Sequence, residues 1–205
     1  PLGSRTKLTL PDGTLVWLNA GSRITYSQGF GVGNRKIELI GEGYFEVKRN
    51  EEVPFLVKTN SLLVKVLGTK FNFRDYPDDA EAIVSLSEGK VALNNLLKKE
   101  KEAFLLPNER VVLNKKNGRM HVEYSTVSNA LQWTNGYLFF DEELLPDVVK
   151  ELERSYNVKI QIASDTLNTF RFYGNFVHRE QNIQEVLEAL SAVSYTHLRA
   201  HETGR

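Results

Sequence analysis

From Lys7 to about Tyr124 the chain alternates inward and outward positions in short runs: Ile37-Glu38-Leu39, Phe45-Glu46-Val47, Phe71-Asn72-Phe73, Val91-Ala92-Leu93 and Met120-His121-Val122. Alternation sends successive side chains to opposite faces of a strand. The runs are separated by turn-forming clusters at Pro11-Asp12-Gly13, Asn19-Ala20-Gly21-Ser22, Gly41-Glu42-Gly43, Asn50 to Pro54, Gly68-Thr69, Pro77-Asp78-Asp79, Ser87-Glu88-Gly89, Pro107-Asn108 and Asn117-Gly118. Proline presets φ, glycine supplies positive φ, and Asp and Asn bond their own backbone, so such clusters reverse the chain. Short strands at this spacing, with no helical period between them, predict an all-β sandwich or β-roll. Asn117-Gly118, between Val111-Val112-Leu113 and Met120-His121-Val122, is the best signal for a two-residue hairpin. Leu15-Val16-Trp17-Leu18 is apolar on both faces, so both sides of that strand need a dry contact.

After about Thr126 the period changes, which places a boundary near Ser125 to Trp133. Gly136 to Phe140 reads as a strand. Leu145, Val148, Val149, Leu152 and Tyr156 recur at helical spacing, and Pro146 suits the first turn, where its missing N–H costs little. Val158, Ile160 and Ile162 alternate with Lys159 and Gln161 and predict a strand. Phe170, Phe172 and Phe176 alternate with Arg171, Tyr173 and Asn175 and predict another, with Gly174 on the Phe side. Asn182, followed by Glu185, has the form of a capping box and opens the stripe Ile183, Val186, Leu187 and Leu190. The order is β-α-β-β-α, and a closing strand is expected next. Its place is taken by Ser194 to Arg205, which breaks the pattern and reads as translated vector sequence, while Pro1 to Ser4 reads as the scar of a removed affinity tag. The expected fold class is mainly β plus α+β. A tag remnant covers 1–4, an all-β domain 5–125, a small α+β domain truncated at its last strand 126–193, and a non-native tail 194–205.

Composition narrows the function classes. Lys plus Arg and Asp plus Glu stand at 26 each, so no net field draws the chain to nucleic acid or to an anionic membrane. The absence of cysteine excludes a disulfide framework and a thiolate metal site and is compatible with either redox compartment. No apolar run is long enough to cross a bilayer, and no signal-peptide pattern opens the chain.

Candidate chemistry is sparse. Gly29-Phe30-Gly31-Val32-Gly33 has the glycine density of a phosphate loop, but its spacing is wrong and a strand follows it, so a β-turn is expected. Asp75, Asp78, Asp79 and Glu81 lack the alternation and central glycine of a calcium loop and read as a solvated tip. His197 and His201 could share a helix face for a metal, with no third ligand in view. No histidine sits in a context that nominates a catalytic triad. Trp17, Tyr26, Tyr44 and Phe45 could line a sugar site, although aromatics on strands serve packing more often than binding.

Taken in order, LPDGTLVWLNAGSRITY (Leu10 to Tyr26), ELIGEGYFEV (Glu38 to Val47), PFLVKT (Pro54 to Thr59), VLGTKFNFRDY (Val66 to Tyr76) and VSLSEGKVAL (Val84 to Leu93) resemble the periplasmic part of the FecR family of transmembrane anti-sigma regulators, in the form found in Bacteroidetes. WTNGYLFFDEELLPDVVKELERSYNVKI (Trp133 to Ile160) and FYGNFVHREQNIQEVLEAL (Phe172 to Leu190) resemble that family's C-terminal domain, which is similar in topology to the short N-terminal domain of secretins and TonB-dependent receptors. The resemblance implies a non-enzymatic module without cofactors or metals. Its partner would be the periplasmic signalling domain of a TonB-dependent outer-membrane transducer, and the outcome would be control of an extracytoplasmic-function sigma factor. The sigma-binding cytoplasmic segment and the membrane helix of such proteins are expected to lie outside this fragment.

The residues themselves point to one docking region. Tyr137 and Phe139 share the strand face opposite Leu138 and Phe140, and Arg171, Tyr173 and Asn175 share a face of the later strand, so a partner could cover them. A small sheet lacking its closing strand also exposes backbone groups, which suits β-augmentation by a partner or pairing of two copies into a homodimer. The alternative reading is a carbohydrate-binding or glycan-processing β-sandwich of the envelope, and a third is a purely structural envelope module.

Overall fold

The structure is a computed structural model that describes residues 3–178 and 180–202, with side chains through Ala192. It divides into two compact units, Gly3–Thr134 and a second that begins at Asn135. The first is built of strands, as the alternation predicts: β1 (Thr6–Thr9), β2 (Leu15–Leu18), β3 (Arg23–Thr25), β4 (Arg35–Glu46), β5 (Phe55–Lys58), β6 (Leu62–Val66), β7 (Lys70–Asp75), β8 (Glu81–Glu88), β9 (Val91–Asn95), β10 (Ala103–Leu105), β11 (Glu109–Asn114) and β12 (Met120–Tyr124). One layer runs β1-β2-β4-β7-β8-β11-β12 and the other β3-β4-β5-β6-β9-β10. The β4-β5 pair is parallel.

Strand β4 belongs to both layers, and it runs through Gly41-Glu42-Gly43, where the glycines predicted a reversal; they serve instead to let the strand change layers. Its first half pairs with β3 and β5, and its second half with β2 and β7. The crossing falls at Gly41, whose φ is +98° and where a Cβ would stand 2.3 Å from Ser22 Oγ. Only glycine fits both the backbone angle and the space. Ser22 Oγ in turn accepts the Glu42 N–H at 2.8 Å, fixing the corner. Inward-facing residues of the two layers, among them Phe45, Phe55, Phe71, Phe73, Leu93 and Leu113, form one buried cluster. Phe45 and Phe71 stack with ring centroids 5.0 Å apart. Each such side chain contributes on the order of 2–3 kcal/mol by leaving water.

The opening turn is more than a reversal. Gly13 has φ +88°, and Asp12 accepts both the backbone N–H and the hydroxyl of Thr14. The same carboxylate meets the buried guanidinium of Arg35 at 3.2 Å. Arg35 donates further to the carbonyls of Val53 (2.7 Å), Lys48 (2.6 Å), Asn50 (3.1 Å) and Leu67 (3.3 Å). One cation thus ties the β1-β2 turn to the loops before β5 and after β6.

The hairpin at Asn117-Gly118 forms, pairing Leu113 with Met120, but its loop is longer than two residues. Asn114 sets it: the side-chain oxygen accepts the N–H groups of Lys116 and Asn117, and the Gly118 N–H returns to the Asn114 carbonyl at 2.8 Å. The segment where the period changes belongs to the first unit. Helix α1 (Val127–Ala130) and a 3-10 turn (Gln132–Asn135) bury Val127 and Trp133, and Trp133 Nε1 donates to Asn72 Oδ1 at 3.0 Å.

The second unit comprises β13 (Tyr137–Leu144), α2 (Leu145–Tyr156), β14 (Arg171–Val177) and α3 (Ile183–Glu202). Leu138, Phe140, Phe172 and Phe176 from the strands pack with Val148 and Leu152 of α2 and Val186 and Leu190 of α3. Pro146 lies in the first turn of α2 and Asn157 closes it in the left-handed conformation, at φ 52°. At the start of α3 the Glu185 N–H donates to Asn182 Oδ1 at 3.0 Å while Asn182 Nδ2 donates to Glu185 Oε1 at 2.8 Å, a variant of the expected box.

Two expected strands are absent here. Val158, Ile160 and Ile162 are half-buried and Lys159 and Gln161 exposed, so the alternation holds, but the segment joins no ladder among the described residues. The closing strand is replaced by α3, which continues through Ser194 to Glu202; this stretch has no Gly or Pro to stop a helix already nucleated. The observed order among the described residues is therefore β-α-β-α. Pro1 and Leu2 of the expected scar, and residues 203–205 of the expected tail, lie outside the described residues.

Candidate functional site

The second unit gathers the expected docking residues. Strands β13 and β14 are antiparallel, with Tyr137 opposite Val177, Leu138 opposite Phe176, Phe139 opposite Asn175 and Phe140 opposite Gly174. Since Leu138, Phe140, Phe172 and Phe176 turn toward the helices, Tyr137, Phe139, Arg171, Tyr173 and Asn175 lie together on the opposite face. Tyr137 and Phe139 are half-buried, Arg171 and Asn175 exposed, and Tyr173 is 61% exposed. Gly174 has a packing reason: a Cβ there would stand 2.7 Å from the Phe176 ring, so the helix-facing aromatics could not close up.

The register shifts between Phe140 and Glu143, and Glu142 takes a left-handed φ of 52°. This bulge places the carboxylates of Asp141 and Glu142 beside β14. Arg171 Nη1 donates to the Glu142 carbonyl at 2.6 Å. A hydrogen bond to the Glu142 carboxylate, reinforced by the charges of Glu142 and Asp141, raises the ionisation of the Tyr173 phenol above its usual range. The face therefore combines rings, a guanidinium, two carboxylates and a carboxamide. Among the described residues β13 and β14 pair only with each other, so neither outer edge joins a further strand, although the Val177 N–H donates to Gln181 Oε1 at 3.0 Å and the Glu142 carbonyl already accepts from Arg171. Rings plus open strand edges are the groups with which one polypeptide receives another.

The other sequence candidates do not converge. Phe45 is buried in the core while Trp17 and Tyr44, paired at 5.2 Å, lie on the opposite face of the same layer. Tyr26 rests on Phe30. The loop Gly29 to Gly33 is a turn, with Gly31 donating to the Asn34 carbonyl at 2.7 Å and Phe30 buried against Phe55. Asp75 is buried at the end of β7 and not on the expected solvated tip; it meets Lys115 at 2.6 Å, and Asp79 meets Arg74 at 3.0 Å, so these carboxylates have protein cations beside them. His197 and His201 fall within α3, and their side chains lie outside the described residues.

Sequence reading missed two buried polar constructions. Arg35 was legible in principle, since it stands in phase with the inward residues Ile37 and Leu39. The second is a chain on the outer face of the β1-to-β12 layer. Arg5 donates to Asn19, Asn19 to Glu42 at 2.9 Å, Asn72 to the other Glu42 oxygen at 2.9 Å, and Trp133 to Asn72. Its members are far apart in sequence, and no local pattern announces it.

Known proteins match both units. The family described as FecR protein matches residues 1–92, and that described as FecR, C-terminal matches residues 137–204, starting at the first residue of β13. The chain belongs to the FecR family. FecR proteins are anti-sigma regulators, so the role is sigma-regulating signalling. Two crystal structures of a proposed anti-sigma factor from Parabacteroides distasonis ATCC 8503, at 1.65 and 2.50 Å, are each 34% identical to this FecR chain. Each comparison covers 94% of this chain and 88% of the other, with TM-scores of 0.85 and 0.84. Among curated proteins none matches. No helix among the described residues is long and apolar enough to cross a membrane.

Proposed function

We propose that this FecR-family chain is the periplasmic, signal-receiving region of a single-pass inner-membrane anti-sigma factor. It binds the periplasmic signalling domain of a TonB-dependent outer-membrane transducer, and the contact controls an extracytoplasmic-function sigma factor held by a cytoplasmic segment of the same protein. The observation that carries the reading is the β13-β14 ribbon: one face is sealed by helices, the other bears Tyr137, Phe139, Arg171, Tyr173 and Asn175, and among the described residues neither edge joins a further strand. Affinity comes from buried rings and strand pairing, with no bond of a substrate made or broken.

Calorimetric titration with signalling domains of candidate transducers tests it. Replacing Phe139 and Tyr173 together by Ser is expected to weaken binding by roughly thirtyfold, the scale of an aromatic anchor. Added salt is expected to change affinity only modestly, since rings and backbone dominate. Unchanged affinity in the double variant, or no binding by any candidate domain, overturns the reading. In the absence of the transducer the same open edges pair two copies, and sedimentation as a monomer at every concentration overturns that part.

A further inference from the structure

The chain is neutral overall, but its charge is not evenly spread. In the β3-to-β10 layer Ile37, Leu39, Phe55, Val57, Val64 and Leu93 point into the core, so the alternate residues form the outer face. Register aligns Lys36, Leu56, Lys65, Ala92 and Phe104 in one row across that face. Arg23 and Lys58 lie in neighbouring rows, and Lys90 Nζ stands 4.6 Å from the Phe104 ring centroid. Arg23, Lys36, Lys58, Lys65 and Lys90 are all exposed, and the carboxylates on the same side are Glu38, opposite Lys58, and, in the loop at the edge, Glu100, which meets Lys98 at 3.4 Å, and Glu102. Lys36, Lys58, Lys65 and Lys90 form no salt bridge among the described residues. Beside them, on and around β9 and β10, lie exposed Leu96 (42%), Leu97 (44%), Phe104 (51%) and Leu106 (57%), with Lys98, Lys99 and Lys101 in the connecting loop.

We propose that this outer face docks on an anionic lipid surface, with Phe104 and Leu106 at the depth of the headgroups. The basic groups are mostly lysines, compact point charges without the fork that grips one carboxylate or phosphate in a fixed geometry. Spread over a sheet face, with Lys36, Lys58, Lys65 and Lys90 outside any ion pair among the described residues, they complement a diffuse negative plane better than a discrete acidic site. Apolar side chains gathered at one edge of such a face are what an interfacial anchor requires. The proposal concerns the first unit and stands whether or not the β13-β14 ribbon receives a transducer.

Co-sedimentation of the whole chain with vesicles of phosphatidylglycerol mixed with phosphatidylcholine, against vesicles of phosphatidylcholine alone, tests it. The expected result is binding to the anionic vesicles that falls steeply between low and high salt. Lys36→Gln with Lys65→Gln is expected to weaken partition by roughly thirtyfold, since each lysine at such a surface adds about one kcal/mol. Lys7→Gln with Lys159→Gln, the same change of charge elsewhere, is expected to leave it nearly unchanged. Phe104→Ser, at an exposed position, is expected to weaken binding at every salt concentration. No binding to anionic vesicles at low salt, equal binding to neutral vesicles, or equal losses in the two lysine pairs overturns the proposal. Capture of an acidic protein without vesicle binding overturns it as well, in favour of a protein partner.

Discussion

The two units solve the same problem, burying apolar faces, with very different margins. In the first, two strand layers close on one cluster, and buried polar groups such as Arg35, Asn72 and Glu42 have partners inside the fold. In the second, a ribbon of two strands depends on α2 and α3 for its cover, and among the described residues no further strand joins either edge. Such a ribbon is marginal by itself, so the helices hold the second unit together. The contrast teaches that the docking face proposed above lies where the chain has the least spare stability. Hydrogen exchange is expected to find the slowest amides in β4, β7 and β8 and faster ones in β13 and β14.

The largest expected effect comes from Arg35→Ala, which strands Asp12 as a buried unpaired charge and frees three loops at once. A loss of about 3–5 kcal/mol in the first unit is expected, read as lost amide protection there while the second unit keeps its own. Leu152→Ala removes a fully buried side chain from the smaller core and is expected to cost the second unit about 3 kcal/mol. If either variant lowers protection equally in both units, the separation drawn between them fails. Trp133→Phe leaves the buried Asn72 oxygen without its donor, and a loss of about 1–3 kcal/mol, concentrated around α1 and β7, is expected in denaturant unfolding.

The smallest effect is in pH dependence. Burial, and then the Glu46 carboxylate, hold the Tyr44 phenol above its ordinary value of 10.0. Below that pH both folded and unfolded chains keep the proton, and the stabilising contribution is complete. As pH rises past it, the unfolded chain ionises first and the folded state loses ground. Tyr44→Phe is therefore expected to flatten the alkaline limb of stability in the first unit, whereas replacing the exposed Tyr173 is expected to leave stability unchanged. Absorbance titration of the phenols, with stability measured across the same range, checks both.

Local chemistry explains which parts of this architecture could be read in advance. Alternation assigned Phe45, Phe71, Phe73 and Leu93 to the inside, spacing found the α2 stripe, and Asn182 with Glu185 marked the start of α3. The five residues of the proposed docking face were assigned to shared faces by the same parity. What failed was non-local. Val158, Ile160 and Ile162 carry a strand's pattern, yet a strand also needs a neighbour, and the sequence of one segment does not say whether a neighbour is free. The longer β11-β12 loop depended on Asn114 reaching forward, outside the dipeptide that signalled the turn. The cationic face was hidden by equal totals of acid and base, because composition sums over the surface while register decides which charges meet.

Because β4 passes from one layer to the other at Gly41 without a break in its strand pairing, the two sheets share a covalent spine. Sliding one layer over its neighbour would require stretching that backbone instead of merely shearing side chains past each other. Within the first unit, a displacement of one layer is therefore carried to the other along the β4 backbone.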